Sequence, residues 1–136
     1  MSERLFALLV HERPEPFESL RQTLRDLSIG TYSVATCKEA KDLISQCKPH
    51  IIFTESSLRD GWWSSLLNIA DAANVPLSVI VISEHPDTRL YLSVMERGAF
   101  DFLVPPFEHE PLDFVIGSAA LATQRRREAL AQAAVA

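Results

Sequence analysis

Short apolar runs of strand length alternate along this chain with longer stretches in which apolar residues return every three or four positions. The runs are LFALLV (5–10), TYSVAT (31–36), HIIFTE (50–55), SVIVIS (78–83) and FDFLV (100–104). Runs of this length, rich in β-branched and aromatic residues, predict strands, and their near-continuous hydrophobicity predicts burial on both faces. After the first run, Phe17, Leu20, Leu24 and Leu27 lie on one face of a helix. Pro14 and Pro16 suit its start, and Gly30 is the expected C-cap. Thr36 and Glu39 have capping-box spacing for a second helix with Ala40, Leu43, Ile44 and Cys47 on its apolar face, closed by Pro49. Asp60-Gly61 predicts a turn before a third helix over about 62–73. Pro86-Asp87 opens a fourth helix ending at Gly98, and a fifth runs from about His109 past Arg127. Five strand–helix repeats predict a doubly wound α/β domain with a five-stranded parallel sheet between two helical layers and right-handed crossovers.

Composition narrows the function. The chain has 136 residues, 47% hydrophobic and 23% charged, enough for one domain with a sizeable core. A net charge of -5 argues against nucleic acid or a membrane surface as a general partner. No apolar run approaches a bilayer span, and MSERLFALLV has no signal-peptide pattern, so a cytoplasmic location is expected. Cys37 and Cys47 lack zinc-site or CxxC spacing and read as two buried or half-buried thiols. After about residue 122 the sequence turns to Ala, Arg, Gln and Glu, which divides the chain into a domain over 1–122 and a helical extension over 123–136.

In open parallel sheets, ligands bind beyond the carboxyl ends of the strands. At those ends stand His11 and Glu12, then Glu55, then Ser83, then Pro105 and Pro106. Here the chain resembles the receiver domains of two-component response regulators, over residues 4 to about 122. The segments that carry the resemblance are LLVHERPEPFESLR, HIIFTESSLRDG, SVIVISEHPD and RGAFDFLVPPF. The resemblance implies a flavodoxin-like (CheY-like) sheet with strand order 2-1-3-4-5. It places His11 and Glu12 where the family has two adjacent acids, and Glu55 where it has the phosphoacceptor aspartate. Ser57 would supply the backbone carbonyl that helps hold Mg²⁺. Ser83 and Phe102 fall at the switch positions, Pro105 at the lysine, and Pro106 follows a peptide that the family commonly has as cis. The usual partner or dimer surface is the face of the fourth helix, fifth strand and fifth helix, with Arg89, Tyr91, Met95 and Glu96 on that helix.

Three of these positions depart from the family's chemistry. Transfer of a phosphoryl group to a carboxylate depends on positioning and charge neutralisation. Proline at 105 brings no cation, histidine at 11 is a poor Mg²⁺ ligand, and glutamate at 55 displaces the acceptor by about 1 Å, a misplacement that can cost ~100-fold in rate. The expectation is an atypical receiver that works without phosphorylation, as a protein–protein interaction module or homodimer, with no catalytic residue, no cofactor and no metal. One alternative is a divergent phosphoryl acceptor with weak Mg²⁺ held by Glu12, Glu55 and the Ser57 carbonyl. A weaker one is a small-molecule-binding domain, against which HERPEP stands in place of a Gly-rich phosphate loop. Glu55 reads as a solvated loop residue, or as a fixed phosphate mimic bonded by Ser83. His11 reads as a loop residue, or as a pH sensor beside Glu55 or Glu12. Trp62-Trp63 offers one exposed anchor for a partner. Arg125-Arg126-Arg127 reads as a cationic end of the last helix, where the dipole favours it. No DNA-binding segment is read from the sequence, so no output domain is expected.

Overall fold

The computed structural model describes residues 4–135. The elements are β1 (Phe6–Val10), α1 (Phe17–Asp26), β2 (Gly30–Val34), α2 (Cys37–Cys47), β3 (Ile51–Glu55), β4 (Ser57–Leu58), β5 (Gly61–Trp62), α3 (Trp63–Ala72), β6 (Ser78–Ile82), α4 (Thr88–Arg97), β7 (Asp101–Leu103) and α5 (His109–Val135). Five strands form one parallel sheet in the order β2-β1-β3-β6-β7, the expected 2-1-3-4-5 order once the short hairpin β4–β5 is set aside. That hairpin was not anticipated, because two-residue strands carry no alternation to read.

Alternating side chains of the central strands feed two cores. Ala7, Leu9, Ile51, Phe53, Ile80 and Ile82 pack with α1 and α5 on one face. Leu8, Val10, Ile52, Val79 and Val81 pack with α2, α3 and α4 on the other. Period-two alternation with both faces covered explains why these strands read as unbroken apolar runs.

The helix ends show where local reading held. Thr36 Oγ1 accepts the Glu39 N–H at 3.1 Å, and the Glu39 carboxylate turns back to the Ala35 N–H. Asp87 caps α4 through the Leu90 N–H, and Gly98 ends it with φ of 106°. Gly30 does not cap α1. The left-handed residue is Ser28, at φ 62°, and its N–H and that of Ile29 close onto Arg25 and Leu24 in a Schellman arrangement. Gly30 instead begins β2. Leu27, at the cap position, is partly exposed.

The cysteines divide. Cys47 is exposed, contrary to its expected place on the apolar face of α2, whereas Cys37 is buried. Burial, with the Asp60 carboxylate nearby, pushes the Cys37 thiol up to about 11. At pH 8 its thiolate fraction is about 100-fold below that of an ordinary thiol, before any loss of access is counted. A disulfide reagent added to the folded protein is therefore expected to label Cys47 first, with Cys37 reacting only on unfolding. Equal rates for both would contradict this.

A polar knot lies at the amino ends of the strands, opposite the crevice. The His50 N–H donates to the Phe6 carbonyl at 2.8 Å, and His50 Nδ1 accepts the Phe6 N–H. Thr123 Oγ1 bonds Ser78 Oγ at 2.7 Å and donates to the His50 carbonyl at 3.2 Å. Arg127 donates through Nε to the Pro76 carbonyl and through Nη2 to those of Lys48 and Pro49. The arginine run is thus not a helix terminus. α5 continues to Val135, and Arg127 fastens it to the α2–β3 and α3–β6 connections. The turn past Ala122 still packs along one side, where Thr123 is wholly buried.

Candidate functional site

At the carboxyl ends of the strands a cleft of about 490 Å³ opens between the β1–α1, β3–β4 and β6–α4 connections. Glu12, Arg13, Glu55, Ser57, Ser83 and Glu84 all line it. Strand order puts them there: β1 and β3 are neighbours, β3 and β6 are neighbours, and each ends at the same edge.

Glu55 is the last residue of β3 and is half-buried. Its carboxylate is engaged by main chain: Oε2 accepts the Glu12 N–H at 3.3 Å and Oε1 the Arg13 N–H at 3.2 Å. Successive amides pointing at one carboxylate form a small anion-binding concavity. Glu12 reaches the opposite way, its Oε1 accepting the Arg59 N–H at 2.7 Å. Arg13 crosses the cleft and pairs its guanidinium with Glu84. Both ends of that ion pair are exposed, so it orients the loops more than it stabilises the fold.

His11 faces away from this centre. Its ring stacks on Phe17 at 4.3 Å, Nδ1 lies 2.6 Å from the Arg13 carbonyl and Nε2 3.3 Å from Ser33 Oγ. Ser33 Oγ also accepts from Arg21 Nη2. A neutral ring with the proton on Nδ1 satisfies the whole chain from Arg21 through Ser33 to Arg13. The alternative in which His11 pairs with Glu55 or Glu12 is therefore not seen. Ser83 is also turned elsewhere: its hydroxyl donates to the His85 carbonyl at 2.8 Å, not to Glu55. Phe102 is half-buried against Tyr91 of α4, edge to face with centroids 5.8 Å apart. Pro105 is half-buried beyond β7, and the Pro105–Pro106 and Glu15–Pro16 peptides are both cis. Trp62 is 61% exposed, whereas Trp63 packs against the α2–α3–α4 core.

These residues fit a divalent cation poorly. Mg²⁺ needs several oxygens in near-ideal octahedral geometry. Here each Glu55 oxygen is turned to a loop amide, Glu12 is drawn to the Arg59 amide, and His11 is turned out. Among the described residues no three His, Cys, Asp or Glu side chains are grouped to hold a metal.

Sequence reasoning passed over Arg13, Arg59 and Glu84, whose roles depend on reach between loops. It read Asp60 only as part of a turn. That carboxylate caps α2 from outside, accepting the Cys37 N–H at 2.7 Å and the Lys38 N–H at 3.1 Å. The Cys37 amide bond is the main cause holding the Asp60 carboxyl below its ordinary range. A depressed folded-state value stabilises above the unfolded-state value and loses that contribution as pH falls through the folded one. The stability gap between the parent and Asp60→Asn is expected to be constant near neutrality and to narrow below about pH 4, in urea titrations across pH. A gap that widens on acidification would refute this.

No family model matches the chain. A 123-residue stretch is 32% identical to the C4-dicarboxylate transport transcriptional regulatory protein DctD of Pseudomonas aeruginosa, covering 88% of this chain and 25% of that protein. The response regulator protein PilR of the same organism is 28% identical over 102 residues, covering 75% of this chain and 23% of that protein. Among solved structures, the signal receiver domain of an HD domain-containing protein from Pseudomonas fluorescens superposes with a TM-score of 0.83 at 18% identity. That match covers 94% of this chain and 95% of that one. The chain has the fold of response-regulator receiver domains and is similar in sequence to response regulators over most of its length. It spans about a quarter of the length of these regulators. A response regulator from Thermotoga maritima shares this fold at a TM-score of 0.76 and 17% identity, covering 87% of this chain and 98% of that one. Among the described residues no helix is long and apolar enough to cross a membrane.

Proposed function

We propose that this receiver domain signals without accepting a phosphoryl group and acts by binding other signalling proteins. The observation that carries the reading is the state of Glu55. Both of its oxygens already accept main-chain N–H groups of the β1–α1 loop. A nucleophile must present a lone pair to an anionic donor, with a cation to neutralise the charge that gathers. Here each oxygen keeps a lone pair, but both oxygens are turned to the loop amides, and Arg13 spends its charge on Glu84. The same contacts hold the β1–α1 loop across the cleft in one arrangement, the kind of fixed shape a partner recognises. The α4–β7–α5 face, where Tyr91 and Phe102 meet, is the proposed surface for such partners.

The test is Mg²⁺ with beryllofluoride, followed by amide NMR and by the fluorescence of Trp62 and Trp63. Millimolar metal and analogue are expected to leave both unchanged. A saturable response that disappears in Glu55→Gln would establish a divergent phosphoryl acceptor instead.

A further inference from the structure

A hairpin of two-residue strands has little stability of its own, so β4–β5 depends on what its tip and base hold. At the base, Leu58 is buried in the core that lies under α2, α3 and α4. At the tip, neighbouring residues reach in different directions. The Arg59 N–H donates to Glu12 Oε1 at 2.7 Å, in the cleft. The Asp60 carboxylate accepts the Cys37 and Lys38 N–H groups at 2.7 and 3.1 Å, at the start of α2. Gly61 completes the seat, since a Cβ there would stand 2.8 Å from Cys37 Sγ and 2.8 Å from Ser65 Oγ. The hairpin therefore rests on the first residue of α2 with no room for a methyl group between them. A helix begins with N–H groups that its own turns cannot satisfy. Thr36 Oγ1 takes that of Glu39, and Asp60 takes those of Cys37 and Lys38, with a charge that suits the positive end of the helix dipole. On the cleft side the Glu12 N–H donates to Glu55 Oε2 while its carboxylate holds Arg59. A continuous path thus runs from Glu55 through Glu12 and the hairpin tip to the first turn of α2.

We propose that the β4–β5 hairpin couples the cleft to α2, so that displacing the Glu12 carboxylate loosens the first turn of α2. The two states are a hairpin seated on both Glu12 and α2 and a hairpin lifted from both. Arg59 and Asp60 are adjacent, and one residue spans at most about 3.6 Å, so the tip has no slack to absorb a shift on one side alone. Coupling of this kind is reciprocal: a partner that grips the start of α2 steadies Glu12 by the same factor by which Glu12 steadies α2. The start of α2 is a surface apart from the α4–β7–α5 face. The link runs through Glu12 and the hairpin, and it stands whether or not Glu55 accepts a phosphoryl group.

Amide hydrogen exchange followed by NMR on the full chain, with circular dichroism to verify folding, tests it. Glu12→Ala removes a side chain bonded to neither Cys37 nor Lys38, yet it is expected to speed exchange of both amides at least about fivefold, the lower end of typical coupling. Two amides off the path should exchange as in the parent: that of Lys48 at the far end of α2, bonded to Ile44, and that of Leu90, bonded to Asp87 at the start of α4. In the other direction, Asp60→Ala is expected to speed exchange of the Glu12 amide by a similar factor. Gly61→Ala keeps every bonding group and only presses the hairpin off Cys37 and Ser65, so it should speed exchange at Glu12 and at Lys38 together. The proposal is overturned if Glu12→Ala leaves the Cys37 and Lys38 amides unchanged, or if Lys48 and Leu90 speed up as much as they do, which is loss of overall stability. A Glu12 amide indifferent to both Asp60→Ala and Gly61→Ala overturns it equally.

Discussion

Replacing Arg127 by alanine is expected to cost about 2–3 kcal/mol of folding stability, although the residue lies beyond the apparent end of the domain. Three main-chain carbonyls, of Lys48, Pro49 and Pro76, receive their hydrogen bonds from this one guanidinium. Hydrogen bonds to a charged donor contribute about 1.5–3 kcal/mol each when buried. The side chain is partly exposed and the carbonyls can partly rehydrate, so the sum is well below three full contributions. Against a total stability of ~5–15 kcal/mol, the loss is a large fraction. Urea denaturation is the measurement: the midpoint should fall with little change in slope. Arg126→Ala, one residue away and exposed, is the control and should lie within about 0.5 kcal/mol of the parent. Ending the chain at Ala122 should be worse than either, because it also removes Thr123 and its bonds to Ser78 and His50. If Arg127→Ala matches the control, the guanidinium contacts carry no net stability.

The second large effect concerns chemistry. On the proposed reading three positions keep phosphoryl transfer from occurring, so restoring all three should restore it. A variant carrying His11→Asp, Glu55→Asp and Pro105→Lys is expected to be labelled by acetyl phosphate and Mg²⁺ at least ~100-fold faster than the parent. The shortened acid at 55 withdraws toward its strand and leaves the Glu12 and Arg13 amides room to meet a phosphoryl oxygen. The new acid at 11 adds an oxygen ligand for a hard cation, and the lysine neutralises the transferred group. Glu55→Asp alone should gain little, because without the cation and the second acid the acceptor's charge still repels an anionic donor. Intact-mass spectrometry follows the labelling. A parent labelled as fast as the triple variant would remove the case for a phosphorylation-independent domain. An inert but folded triple variant would show that the block lies elsewhere in the cleft.

The sheet was legible because burial on both faces writes itself as runs such as IIF and SVIVI, which have few other uses. Helix starts were legible where a cap is local, as at Thr36 and Asp87. The end of α1 was not, because a left-handed serine looks like any other serine and the nearby Gly30 offered a more familiar signal. The position of the cleft followed from the fold, and Glu55 from its place at the end of β3. Its partners did not, since they are amides 42 and 43 residues away, which carry no sequence signature. Arg127 was visible only as part of a basic run. Its spacing of four from Thr123, on the stripe that holds Ile116 and Ala119, was the available sign that it faces the body of the domain.

The knot at the amino ends of the strands has a consequence for how the sheet finds its alignment. β1, β3 and β6 are apolar on both faces, so sliding one strand past its neighbour exchanges one buried hydrophobic set for another. Hydrophobicity alone then discriminates poorly between alignments. Polar atoms discriminate well, because a buried donor or acceptor without a partner is costly. His50 exchanges two bonds with Phe6 at the start of β1, and Ser78 finds Thr123 at the start of β6. A slip of one residue would leave these groups buried and unmatched. The few polar side chains at this end thus act as index marks for strands whose hydrophobic residues would accept several positions.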